Sequence, residues 1–130
     1  MEIKLTQTES LEYFFNALCN GLSSMRDYGL EFRCPTVDYT NAKLKLLEAS
    51  PNTIVCFEDV LIQVLKDGGT LKMIDTENGE DDKTITINEV YERVQKTPIR
   101  HLMNMINGED DAETADVILQ TVFYEDVLFG

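Results

Sequence analysis

The sequence predicts an α+β fold, a single compact domain over residues 1–130 with about five or six helices packed on a small, mostly antiparallel sheet. Three observations predict it. Along most of the chain apolar residues recur at steps of three and four, the period of one helical face. Residues at about 70–75 and 83–87 alternate with period two on either side of an Asn-Gly pair, the pattern of a hairpin. Leu30, Phe32 and Cys34 alternate with Glu31 and Arg33, which reads as a further half-buried strand stopped by Pro35. With 43% apolar and 27% charged residues, a chain of this size can bury a core without disulfide or metal staples.

In chain order, Ile3 to Leu5 reads as a short edge strand, and Thr8 or Ser10 as the cap of the clearest helix. Leu11, Phe14, Phe15, Leu18, Cys19, Leu22 and Met25 form its apolar stripe, opposite Glu12, Asn16, Asn20, Ser23 and Asp27. Gly29 closes it in a left-handed conformation. A short helix is expected from about Thr40 to Ala49 with Leu44 and Leu47 inward, ended by Ser50-Pro51-Asn52. Another is expected from about Thr53 to Lys66 with Phe57, Val60, Leu61, Val64 and Leu65 on one face, ended by Gly68-Gly69. After the hairpin, Asn88 is placed to cap a helix containing Val90, Tyr91 and Val94. Thr97-Pro98 then starts a helix with Ile99, Leu102, Met103 and Ile106 inward, closed by Asn107-Gly108. Asp110 or Asp111 opens the last helix, whose inner side is Ala115, Ile118, Leu119, Val122 and Phe123.

The most distinctive words in the chain are two copies of Asn-Gly-Glu-Asp-Asp, at 78–82 in the hairpin connection and at 107–111 in a helix-helix corner. A second echo, Phe57-Glu58-Asp59-Val60-Leu61 and Tyr124-Glu125-Asp126-Val127-Leu128, has a different offset. One duplication would give one offset, so local turn and cap chemistry explains both.

Neither copy is a calcium loop of the EF-hand kind. Counting from Asp75, the sixth position is Glu80 where glycine is needed and the twelfth is Thr86 where a bidentate Glu is needed; the second copy has Ala112 and Ile118 there. Zinc would draw on Cys19, Cys34, Cys56 and His101, whose spacing lacks the usual close pairs. Those cysteines read as small, reduced core residues, and His101 as a surface or boundary residue. No nucleotide-binding glycine pattern or nucleophile elbow occurs, so no cofactor and no metal are expected.

Charge carries the functional expectation. Eleven Lys and Arg stand against 24 Asp and Glu, a formal charge of −13, and no Lys or Arg occurs from His101 onward. That sign disfavours direct nucleic-acid binding and anionic membrane surfaces. No apolar run suits a signal peptide or a membrane span, so a cytoplasmic setting is expected. The expected function is that of a small, acidic, non-enzymatic protein that engages a basic protein, in the manner of an inhibitor occupying a nucleic-acid-binding site. Its candidate contact residues are Glu80, Asp81, Asp82, Glu109, Asp110, Asp111, Glu113 and Asp116. An enzyme or small-ligand domain with a carboxylate- or His-containing pocket is the alternative. A subunit or homodimer burying Val127-Leu128-Phe129 is a third reading.

Overall fold

A computed structural model describes residues 3–77 and 82–129 of the chain. Among them run α1 (Gln7–Asp27), β1 (Leu30–Arg33), α2 (Thr36–Ala49), α3 (Phe57–Lys66), β2 (Leu71–Asp75), β3 (Lys83–Ile85), α4 (Ile87–Arg93), α5 (Ile99–Ile106) and α6 (Ala112–Tyr124), with a 3₁₀ turn at Val94–Lys96. Six helices therefore pack on a three-stranded antiparallel sheet of order β1-β2-β3, an α+β architecture. The register pairs Phe32 with Met73 and Leu71 with Ile85. These residues face the helices, whereas Glu31, Arg33, Lys72 and Thr84 line the opposite, exposed face.

α6 is the central element. Its buried residues include Thr114, Ala115, Val117, Ile118, Leu119, Gln120, Thr121, Val122 and Phe123, which leaves no solvent face over the middle of the helix. α1 crosses it closely because Gly21 has no side chain: a Cβ there would meet Leu119 Cδ1 at 2.6 Å and Ala115 Cβ at 3.3 Å. Small residues at the crossing therefore set which side of α1 is inside. Phe14, Ala17, Leu18, Gly21 and Met25 are buried, while Leu11, Phe15 and Leu22 are half-buried and Cys19 is exposed, a rotation from the expected stripe. Leu11 and Phe15 instead line a groove of about 560 Å³ with Leu46, Ile62 and Tyr91.

Caps explain most shifted boundaries. α1 begins earlier than expected because Thr6, rather than Thr8 or Ser10, forms a reciprocal capping box with Glu9. α4 is capped by Thr86 instead of Asn88: Glu89 accepts from both the backbone N–H and the hydroxyl of Thr86. Partial burial of Glu89 opposes its ionisation, but those bonds outweigh it and hold the carboxyl below the usual range. α3 starts at Phe57, where Asp59 accepts from the Cys56 N–H. Gly29 adopts φ of 78°, the left-handed closure expected there, and Gly108, in the expected closure of α5, adopts φ of 71°.

Other expectations are corrected. Ile3 to Leu5 forms no strand; the Leu5 N–H donates to Gln95 Oε1 at 3.1 Å, a side-chain partner in place of a ladder. α2 begins at Thr36 and buries Ala42, leaving Leu44 exposed and Leu47 half-buried. The thiols are not core residues: Cys19 and Cys56 are exposed and Cys34 is half-buried. α5 is also turned from expectation, burying His101, Leu102 and Met105 and exposing Ile99, Met103 and Ile106. The two echoed Glu-Asp-Val-Leu segments have opposite roles, since Phe57 opens α3 while Tyr124 ends α6.

Candidate interaction surface

Each candidate carboxylate has a local structural setting. Glu80 and Asp81 lie outside the described residues. Asp82 turns back to accept the Asp75 N–H at 2.7 Å, closing the base of the hairpin connection. In the second copy, Gly108 redirects the chain and the Glu109 N–H donates to Asn104 O at 2.7 Å, which folds the corner onto the end of α5. Asp110 accepts from Asn20 Nδ2 at 3.3 Å. Asp111 caps α6 by accepting the Thr114 N–H at 2.9 Å, and that bond holds its carboxyl below the usual carboxylate range. Glu113 lies 3.6 Å from Arg100, an exposed pair worth little by itself.

Asp116 is built into the fold. It accepts from Tyr28 Oη at 2.5 Å and from Gln120 Nε2 at 2.6 Å. Gln120, fully buried, also donates to Phe129 O and accepts from the Leu128 and Phe129 N–H groups. This network lays the chain after α6 back over it, where Phe129 stacks on Tyr28 with centroids 5.5 Å apart. Phe129 thus has an intramolecular seat, whereas Val127 and Leu128 remain exposed. Periodicity does not reveal this role, although one glutamine inside the apolar run Ile118-Leu119-Gln120-Thr121-Val122-Phe123 is its trace.

The C-terminal half of α1 joins the second acidic corner to the base of the first. Asp110 meets it at Asn20 and Asp116 at Tyr28, eight residues further on. At 1.5 Å per residue those anchor points are about 12 Å apart. One residue beyond Tyr28, Gly29 lies against the Glu77 side chain, with Glu77 Cγ 2.9 Å from where a Cβ would stand, and its carbonyl accepts from the hydroxyl and N–H of Thr76. Exposed Asp27 lies on the same stretch. Arg26, on the same stretch, borders a groove with Leu22, Phe32 and Phe57.

The ion pairs among the described residues leave the carboxylates of this side without a direct cationic partner. Arg33 pairs with Glu31, Lys45 with Asp67, Arg93 with Glu125, Lys96 with Glu92 and Arg100 with Glu113, so none joins Glu77, Asp82, Glu109, Asp110, Asp111 or Asp116 to a cation. Charges about 10 Å apart in water repel by only about 0.4 kcal/mol, so the fold tolerates the clustering, and a cation placed among them gathers several such terms.

The histidine and the cysteines have different surroundings. His101 lies between Arg100 Nη2 and Thr114 Oγ1, each at 3.2 Å. A guanidinium can only donate, so Nε2 accepts and Nδ1 faces the hydroxyl. Burial pushes the Cys34 thiol up and nearby Asp38 adds to it, the opposite of nucleophile activation. Among the described residues, no group of three or more His, Cys, Asp or Glu is arranged to hold a metal ion. Nor is any described helix long and apolar enough to cross a membrane. Comparison with protein-family models, curated proteins and solved structures finds no match for this chain.

The bond to Asp116, with burial and neighbouring negative charge, pushes Tyr28 up to about 12. The folded state therefore holds the phenolic proton more tightly than the unfolded chain. Stability from this bond is fully present below the ordinary tyrosine pKa and is lost as pH rises from 10.0 through about 12. Burial and the nearby Glu9 and Glu12 also push Tyr13 up, so in an ultraviolet phenolate titration Tyr28 is expected among the late-ionising tyrosines, and Asp116→Asn should reduce that late amplitude while leaving the Tyr13 part in place. An unchanged late transition in that variant would refute the assignment.

Proposed function

We propose that this protein is a non-enzymatic binding protein whose acidic side, centred on Glu109-Asp110-Asp111 and the C-terminal half of α1, engages a basic protein. The observation that carries this reading is the uncompensated charge: from His101 onward there is no Lys or Arg, and these carboxylates enter no ion pair among the described residues. Helix capping accounts for Asp111 and favours Glu113 in the first turn. It does not account for Glu109, Asp27 and Glu77, which are exposed. A nucleic-acid-binding protein is the partner class that fits best, because closely spaced carboxylates offer its basic face the sign of charge that a phosphate backbone offers. A cytoplasmic setting suits that partner.

The test separates charge from capping. Asn caps a helix about as well as Asp, so Glu109→Lys, Asp110→Lys and Asp111→Asn together change the charge by five while keeping the α6 cap. Partners captured from the source cells are then titrated with the parent and this variant. Affinity is expected to fall at least about ten-fold in the variant, and in the parent to weaken steeply between about 50 and 300 mM salt. Affinity that ignores both salt and the variant would overturn the reading.

A further inference from the structure

The outer face of α5 is apolar and only partly covered. Ile99, Met103 and Ile106 are 47%, 39% and 38% exposed, although the helix already buries His101, Leu102 and Met105 on its inner side. Steps of four and three place the three exposed residues within about 60° of helical arc, one continuous strip. Scattered single apolar residues are ordinary on a protein surface, whereas these three lie side by side along one helix. Beyond Ile99 the strip continues into a cavity of about 420 Å³ whose lining includes Ile3, Pro98 and Leu102.

Charge runs along the strip in one direction. Lys96 and Arg100 stand at its start. At its end the Glu109 N–H bond to Asn104 O holds the Glu109-Asp110-Asp111 corner against the last turn of α5. The partial negative charge of the helix C-terminus adds to that corner.

We propose that this strip docks an amphipathic helical segment of the basic partner, with its apolar anchors on Ile99, Met103 and Ile106 and its basic end over Glu109-Asp110-Asp111. The inference rests on the basic-partner reading above and adds the form of the recognised element, a helix read through anchors at i, i+4 and i+7. The flexible Met103 thioether at the centre lets the strip adapt to differently shaped anchors. A second copy of this chain is the weaker occupant. Each copy carries −13, and three side chains fall far short of the roughly 800 Å² per partner of a stable interface.

Two synthetic peptides of one composition test it, each with leucines at i, i+4 and i+7 and several lysines, either clustered at one end or spread along the length. Polylysine serves as the charge-only probe. Calorimetry is expected to show the clustered peptide binding at least about ten-fold tighter than the spread one. The triple variant Ile99→Ser, Met103→Ser and Ile106→Ser should lose that advantage and keep its polylysine binding within about two-fold. All three residues are exposed, and should the triple fail to fold, Met103→Lys alone serves. Equal binding of the two peptides, or peptide binding unchanged in the variant with polylysine still bound, overturns the docking strip and leaves the basic-partner reading intact. Failure of polylysine and both peptides to bind overturns both. Self-association of the parent in sedimentation velocity that the variant abolishes assigns the strip to a second copy and also overturns the proposal.

Discussion

Replacing Gln120 by leucine is expected to destabilise the protein by about 2–4 kcal/mol and to release the chain after α6. Leucine nearly fills the same volume, so little of the loss comes from a cavity. The loss comes from hydrogen bonds. Nε2 donates to Asp116 Oδ1 at 2.6 Å and Phe129 O at 3.1 Å, while Oε1 accepts from the Leu128 and Phe129 N–H groups at 2.7 and 2.8 Å. The backbone groups lie near the surface and regain water once the segment lifts, which keeps the effect below the sum of the separate bonds. Urea unfolding gives the stability change. Amide hydrogen exchange gives the second readout, because Leu128 and Phe129 should become fast while the α6 core stays slow. A variant with the parent's unfolding midpoint and slow exchange at both amides would show that the network holds nothing in place.

Phe123→Ala is expected to cost about 3–5 kcal/mol, the range for emptying a buried aromatic site. The ring is buried at the junction of three elements, 6.4 Å from the Phe14 ring of α1 and 5.3 Å, edge-on, from the Phe32 ring of β1. Removing it weakens the attachment of both to α6, so thermal unfolding should stay a single transition at lower temperature. A double-mutant cycle of Phe123→Leu with Phe32→Leu should return a coupling of about 0.5–1.5 kcal/mol, the part due to the edge-on geometry. Zero coupling would reduce that contact to area alone.

The elements legible in the sequence are those with local causes. The inner side of α6 (Ala115, Ile118, Leu119, Val122, Phe123) and the Gly29 and Gly108 closures stand where the pattern places them, and of the two caps offered for α6, Asp110 and Asp111, the second is the one used. The misplaced caps at Thr6 and Thr86 were legible too, since each is followed three residues later by a glutamate that completes a capping box. The orientation of α5 was not legible. Its residues are apolar on two sides, and periodicity cannot choose between sides that both qualify. The side turned inward carries Leu102, Met105 and His101, whose imidazole meets the Thr114 hydroxyl thirteen positions later in the chain. On α1 the expected Phe14, Leu18 and Met25 are buried, but Ala17 and Gly21 escaped for the complementary reason: they add little to an apolar stripe, although the missing side chain of Gly21 is what lets α6 approach.

The candidate surface divides the same way. Glu109 and Asp111 sit where the motif places them, at a helix-helix corner, while Asp82 and Asp116 spend their carboxylates on Asp75 N–H, Tyr28 and Gln120. By itself the sequence determined the charge of −13, its concentration after His101, the helical periods and the turn chemistry, because each depends on residues adjacent in the chain. Only the tertiary structure decided which apolar faces are covered, that Ile99, Met103 and Ile106 are left outside, and that α1 joins Asp110 to the Asp75–Asp82 end of the hairpin. Those outcomes depend on which elements pack together, at separations that reach 90 positions for Asn20 and Asp110, and no local pattern carries information about so distant a neighbour.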